Sequence, residues 1–157
     1  MRRIIWITGA LLVLILLIMQ SRRPDYDLPR VEAASTFDAS MHPNSQIRST
    51  LHQSCYSCHS AQGEIPWYGG VWPTSHLLQK DIRRARARLD FSSWNNLSPE
   101  MSRIRLMSAC QMMKESKMPL WYYRPLHPGS APSPEQVDAF CAWAASLPVG
   151  TQIAGLR

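Results

Sequence analysis

The chain has 157 residues, of which 45% are hydrophobic and 18% charged. That balance excludes a disordered polymer and leaves room for one domain with a modest core. The formal net charge of +6 is compatible with an acidic partner or an anionic membrane surface, and by itself names neither.

The N-terminus opens MRRIIWITGALLVLILLIMQSRR, an uncharged and mostly apolar run from Ile4 to Met19 between two arginine pairs. The run is a little shorter than the roughly 20 residues of a spanning helix. Gln20 can extend it, and the flanking arginines can snorkel to the interface. A cleaved secretory signal is the competing reading, but no small-residue cleavage site follows directly; the nearest cluster, Ala33-Ala34-Ser35, lies well downstream. Residues 1–22 are therefore expected to form an uncleaved signal anchor or transmembrane helix. Arg2-Arg3 and Arg22-Arg23 oppose each other under the positive-inside rule, so the anchor does not set its own orientation. Residues 23–43, with Pro24, Pro29 and Pro43 and no sustained period, read as a linker. Residues 44–148 follow as the domain and 149–157 as a tail.

The domain shows four helical candidates and no convincing period of two, which predicts an all-α fold with long loops. The first, roughly 44–54, carries Ile47, Leu51 and Ser54 on one face and runs into a cysteine pair. The second, about 74–89, has an apolar stripe of Leu78, Ile82, Ala85 and Leu89. The third opens at Ser98-Pro99-Glu100, with Ile104, Met107, Cys110 and Met113 expected inward; Asn96-Leu97-Ser98 matches a glycosylation acceptor but reads better as its cap. The fourth opens on the same device at Ser133-Pro134-Glu135, where Gln136 completes a capping box, with Val137, Phe140, Cys141 and Ala144 inward. Two loops, GEIPWYGGVWP and MPLWYYRPLHPG, concentrate tryptophan and tyrosine among turn-forming residues. They are either aromatic core under surface loops or, through Trp67 and Tyr68 among others, the lining of a large flat apolar ligand.

Cys55-Tyr56-Ser57-Cys58-His59 admits three chemistries: a redox dithiol, half of a zinc site, or a covalent c-type haem attachment. Zinc lacks a second ligand pair, since the other cysteines are isolated at 110 and 141. A thioredoxin-like dithiol lacks its βαβ context. Haem attachment uses all three residues: two thiols one helical turn apart reach the two vinyl groups, and His59 becomes the proximal iron ligand. One haem c per chain is the expected cofactor. The sixth ligand has candidates in Met118, Met112, Met113, His76, His127 and His52. Met118 is favoured because it ends the third helix on a Met-Pro step, while Met112 and Met113 read as helix and core. His52 is too close to the cysteines to cross the ring.

At this point the sequence resembles the small bacterial haem-binding domain family, a group of membrane-anchored monohaem c-type proteins. The resemblance rests on Cys55-Tyr56-Ser57-Cys58-His59-Ser60, Pro66-Trp67-Tyr68, Pro73-Thr74-Ser75, Leu89-Asp90-Phe91-Ser92-Ser93-Trp94 and Met118-Pro119. It spans about residues 47–146. It implies a class-I-like cytochrome c fold in which Cys55, Cys58 and His59 bind haem. The chain departs from the family pattern at Ser57, at Ala61-Gln62, at Ala85-Arg86 and at His76.

The run Lys80 to Arg88 is either the solvated face of an amphipathic helix, a docking patch for an acidic redox partner, or a neutraliser of haem propionates. No aromatics interleave with it, which argues against nucleic acid. Cys110 and Cys141 both fall on inward helix faces and are left open between a disulfide and buried thiols. The expected role is single-electron transfer from the extracytoplasmic face of a bacterial membrane, not catalysis. The alternative is a haem sensor, ligand-binding module or peroxidase-like enzyme with an open sixth position, served by His76 or His127.

Overall fold

The computed structural model describes residues 1–21 and 24–148; Arg22-Arg23 and the expected tail, 149–157, lie outside the described residues. Among those described, the secondary structure is helical throughout: seven α-helices, short 3-10 turns and no strand. Helix α1 (Arg2–Ser21) has a mean hydropathy of 2.4 and buries none of its residues in the rest of the chain, so it is long and apolar enough to cross a membrane. Its last turn touches the domain: the Gln20 amide donates to the Gly70 carbonyl at 2.5 Å and accepts from the Trp72 amide at 3.0 Å.

The stretch expected as a linker is tied to the domain near Tyr26 and packs into the core around Phe37, with most residues between them exposed. The Tyr26 hydroxyl lies 2.6 Å and 3.1 Å from the carbonyl oxygens of Gly69 and Ser75, and the Gln79 side chain donates to the Asp25 carbonyl. Thr36 caps a short helix, α2 (Phe37–Met41), by accepting from the Ala39 amide. That helix puts Phe37 fully into the core, where burial of one such ring is worth about 1.5–3 kcal/mol. So short a helix would not hold alone in water; packing holds it.

Helices α3 (Ser45–Ser54), α4 (Tyr56–His59), α5 (Thr74–Arg88), α6 (Pro99–Lys114) and α7 (Pro134–Ser146) build the rest. Asn44, Ser98 and Ser133 cap α3, α6 and α7 through their side-chain oxygens, and Ser133 with Gln136 closes the capping box. Ile47 and Leu51 of α3, Leu78 and Ile82 of α5, and Val137, Phe140, Cys141 and Ala144 of α7 are buried as expected. On α6 the expected stripe is rotated. Ile104 is 52% exposed, and the buried face is Ser102, Leu106, Cys110 and Met113. Cys110 and Cys141 form a disulfide with Cα atoms 5.2 Å apart, joining α6 to α7.

An aromatic column runs through this core. His52 stacks on Tyr56 at 3.8 Å, Tyr56 on Phe91 at 4.9 Å, and Phe91 on Trp94 at 5.8 Å. Phe37 meets Phe91 and Trp94 edge-on at 5.1 Å and 4.8 Å. Offset-stacked and edge-on pairs of this kind are each worth about 0.5–1.5 kcal/mol beyond the area they bury. Since Tyr56 sits between the two cysteines, the column seats the cysteine turn directly on the core.

Candidate functional site

The cysteine turn is a single tight helical turn. The amides of Cys58 and His59 both donate to the Cys55 carbonyl, at 3.2 Å and 2.9 Å, which brings Cys55, Cys58 and the imidazole to one end of α3. Both thiols are free and not joined to each other, on half-buried residues. Burial, with the Cys58 charge adding to it, pushes the Cys55 thiol up to about 12. Burial and Asp81 push Cys58 up to about 11, against the opposing pull of Arg86. Redox dithiols depend on lowered thiol pKa values, so these two are poor candidates for that chemistry.

His59 is oriented by the loop that follows α5. Its Nδ1 lies 2.9 Å from the Leu89 carbonyl oxygen. A carbonyl only accepts, so Nδ1 carries the proton and Nε2 presents its lone pair, the tautomer a metal needs. Burial lowers the His59 pKa, with the carbonyls of Leu89 and Ala85 and the charge of Asp90 pulling the other way. The same loop holds the backbone. The Phe91 amide donates to the His59 carbonyl at 2.8 Å and the Ala61 amide to Ser92 Oγ at 2.6 Å, while the Ser60 and Ser92 hydroxyls meet at 3.0 Å. Asp90 in turn accepts from the Ser92 amide and the Ser93 hydroxyl. The Leu89–Trp94 motif is thus a buttress for the cysteine turn. Its recurrence in the resemblance flagged it, but nothing in the sequence told what it supports.

On the far side of the turn, a β-carbon added to Gly63 would lie 2.5 Å from the Tyr56 carbonyl oxygen and 2.8 Å from the Ser57 Cα. Only a residue without a side chain permits that approach.

The two aromatic loops clasp each other. The Tyr68 hydroxyl and His127 Nε2 are 2.8 Å apart, and His127 stacks on Tyr123 at 3.8 Å. Tyr122 donates to Asp81 of α5 at 2.7 Å. Of the two cofactor residues expected from the first loop, Tyr68 is half-buried in this clasp, whereas Trp67 is 79% exposed and meets Tyr68 edge-on at 5.7 Å.

Met118 does not end α6 as expected. The helix stops at Lys114 because Ser116 takes a left-handed conformation with φ 53°. The Ser116 amide then bonds the Met113 carbonyl and the Lys117 amide the Met112 carbonyl, a helix-ending Schellman pair. Met118 follows on this turn, half-buried, with Pro119 buried behind it. Arg124 fixes the turn, donating from Nε to the Pro119 carbonyl at 2.8 Å and from Nη2 to the Ser116 carbonyl at 2.6 Å. Of the histidines considered for the sixth position, His52 pairs with Asp38 at 2.7 Å, His127 is engaged by Tyr68, and His76 is exposed on α5.

Two cavities flank the site. One of about 300 Å³ lies between Pro24, Tyr26, Ile65, Gly69 and Gly70, and one of about 430 Å³ lies against His52, Tyr56, Ser57, Gln62, Gly63 and Glu64. Two unpaired thiols on one turn, a neutral imidazole with its Nε2 lone pair presented, and buried donors of Arg86 without partners form a donor set suited to haem.

The chain matches the family model described as a haem-binding domain over residues 13–146. It belongs to that haem-binding domain family. The matched region begins inside α1 and takes in the packed segment that precedes α3. No curated protein and no solved structure matches it.

Proposed function

We propose that the protein is a membrane-anchored, extracytoplasmic monohaem c-type cytochrome that carries single electrons. The observation behind this reading is the cysteine turn: two free thiols at one-turn spacing, followed by an imidazole whose Nδ1 proton is committed to the Leu89 carbonyl. Cys55 and Cys58 would hold the haem through thioethers, and His59 Nε2 would ligate its iron. When bound, haem supplies a one-electron iron couple at a potential set by axial ligands and burial. Leu89 keeps the imidazole in its ligating tautomer. Phe91 and Ser92 hold the turn through their bonds to the His59 carbonyl and the Ala61 amide.

Met118 is proposed as the sixth ligand, presented by the Ser116 turn and held by Arg124. The Cys110–Cys141 disulfide supports an oxidising compartment, and α1 supports a single membrane anchor. The exposed Lys80, Arg83, Arg84 and Arg88 of α5 would present a basic face to an acidic redox partner. The test is an absorption spectrum of the ferrous protein with and without carbon monoxide, for wild type and Met118→Ala. Wild type should refuse carbon monoxide. Met118→Ala should bind it, lose the weak red charge-transfer band of the ferric form, and show a lower potential; Met112→Leu should do none of these. Ready binding by wild type would favour a sensor or open-site enzyme instead.

A further inference from the structure

Of the basic side chains on α5, Lys80, Arg83, Arg84 and Arg88 are exposed, and Arg86 alone is drawn out of solvent. Its Nη1 donates to the backbone carbonyl of Asp27 at 2.5 Å and, more weakly, to that of Tyr26 at 3.4 Å. Its Nε and Nη2 are shielded from water and have no hydrogen-bond partner among the described residues. No carboxylate pairs with this guanidinium among those residues either. A buried donor left without an acceptor is destabilising, and more so when it is charged. A buried cation lacking its counter-charge is costlier still.

The two orphaned donors share one edge of the guanidinium plane. That edge offers two parallel N–H bonds, the fork that takes a single carboxylate. Arg86 stands three residues before Leu89, whose carbonyl accepts from His59 Nδ1 at 2.9 Å, so it belongs to the end of α5 that meets the cysteine turn. We propose that the Nε/Nη2 edge of Arg86 is a carboxylate site that binds one haem propionate, an inference that rests on the haem reading above. Because Nη1 of the same side chain holds the backbone of Tyr26 and Asp27, Arg86 ties the edge of the cofactor to the segment that follows α1.

The test uses full-length, haem-loaded protein in detergent as wild type, Arg86→Gln, Arg86→Lys and the exposed control Arg83→Gln. Resonance Raman reads the propionate bending band, and a redox titration reads the potential. Arg86→Gln is expected to shift the band and lower the potential, because a positive charge near the iron is gone. Arg86→Lys should keep the potential close to wild type yet shift the band, since charge is retained and the fork is lost. Arg83→Gln should change neither. A wild-type band in both Arg86 variants would overturn the proposal, as would an equal shift in Arg83→Gln. Should Arg86→Gln fail to accumulate, the Arg86→Lys band decides. A free anion as the occupant would appear as a wild-type potential that moves with added inorganic phosphate, lost in Arg86→Gln, and would overturn the propionate assignment. Wild type without thioether-bound haem would instead defeat the underlying reading.

Discussion

Removing the cross-link between α6 and α7 should cost a large part of the protein's stability. Cys110 and Cys141 are separated by 31 residues in sequence. Closing a loop of that length removes about 12 cal/mol/K of entropy from the unfolded chain, about 3.7 kcal/mol at 25 °C. Both residues are nearly buried, at 5% and 8% exposure, so replacing each with alanine also deletes a packed sulfur, which adds roughly 1 kcal/mol. Against a typical total of about 5–15 kcal/mol, the double variant Cys110→Ala/Cys141→Ala should be markedly weakened. With a urea slope of about 1–3 kcal/mol/M, its midpoint should fall by roughly 2 M. The assay is urea unfolding in detergent followed by tryptophan fluorescence, with reduced wild type as a second route to the same loss. A midpoint shift worth less than about 1 kcal/mol by both routes would refute the entropy argument. The cysteine turn lies outside this loop, so a variant that folds should keep its pigment.

Gly63→Ala should destabilise the protein by about 1–3 kcal/mol and lower the yield of haem-loaded chain, because the new methyl meets backbone at 2.5 Å and 2.8 Å that cannot turn aside; thermal melts and pigment yield would show it, and an unchanged melt would count against the close packing. Tyr26, Tyr56, Tyr68, Tyr122 and Tyr123 all have their phenol pKa values raised, chiefly by burial, with Tyr68 and Tyr122 reaching about 12. A folded pKa above the unfolded one contributes stability that is intact below pH 10 and lost as pH rises through the folded value. Ultraviolet titration should therefore show phenolate appearing late and together with unfolding, and ordinary ionisation near pH 10 in a still-folded protein would contradict this. For topology, a phosphatase fused after Arg157 should be active and one fused before Met1 inactive; the reverse pattern would defeat the extracytoplasmic reading.

The helices that sequence periodicity found are those whose faces are strongly apolar. On α7, Val137, Phe140, Cys141 and Ala144 all point where the spacing puts them. On α6, the buried stripe begins with a serine, Ser102, so the large exposed Ile104 drew the expected face away from Leu106. Helices α2 and α4 are too short to carry a period and exist through tertiary contacts. The cysteine turn announced itself because its three residues are adjacent in the chain. Its support did not: the Leu89 carbonyl that orients His59 is a backbone atom 30 residues away, and no side-chain pattern encodes it. Likewise, nothing marked Ser116 as the residue that ends α6, since a left-handed cap is ordinarily signalled by glycine. The basic run on α5 was visible as charge. That one of its arginines turns inward with two donors unspent depended on packing against Tyr26 and Asp27.

The central claim is that Cys55 and Cys58 hold haem covalently above a turn oriented through His59. It is tested most directly by unfolding the purified protein in alkaline pyridine with dithionite and comparing the pigment before and after acid-acetone extraction. The pigment should give a haemochrome of the two-thioether type that stays with the polypeptide, becomes a one-thioether spectrum in Cys55→Ala or Cys58→Ala, and disappears when both are replaced. Quantitative transfer of the pigment from wild type into the organic phase would contradict it.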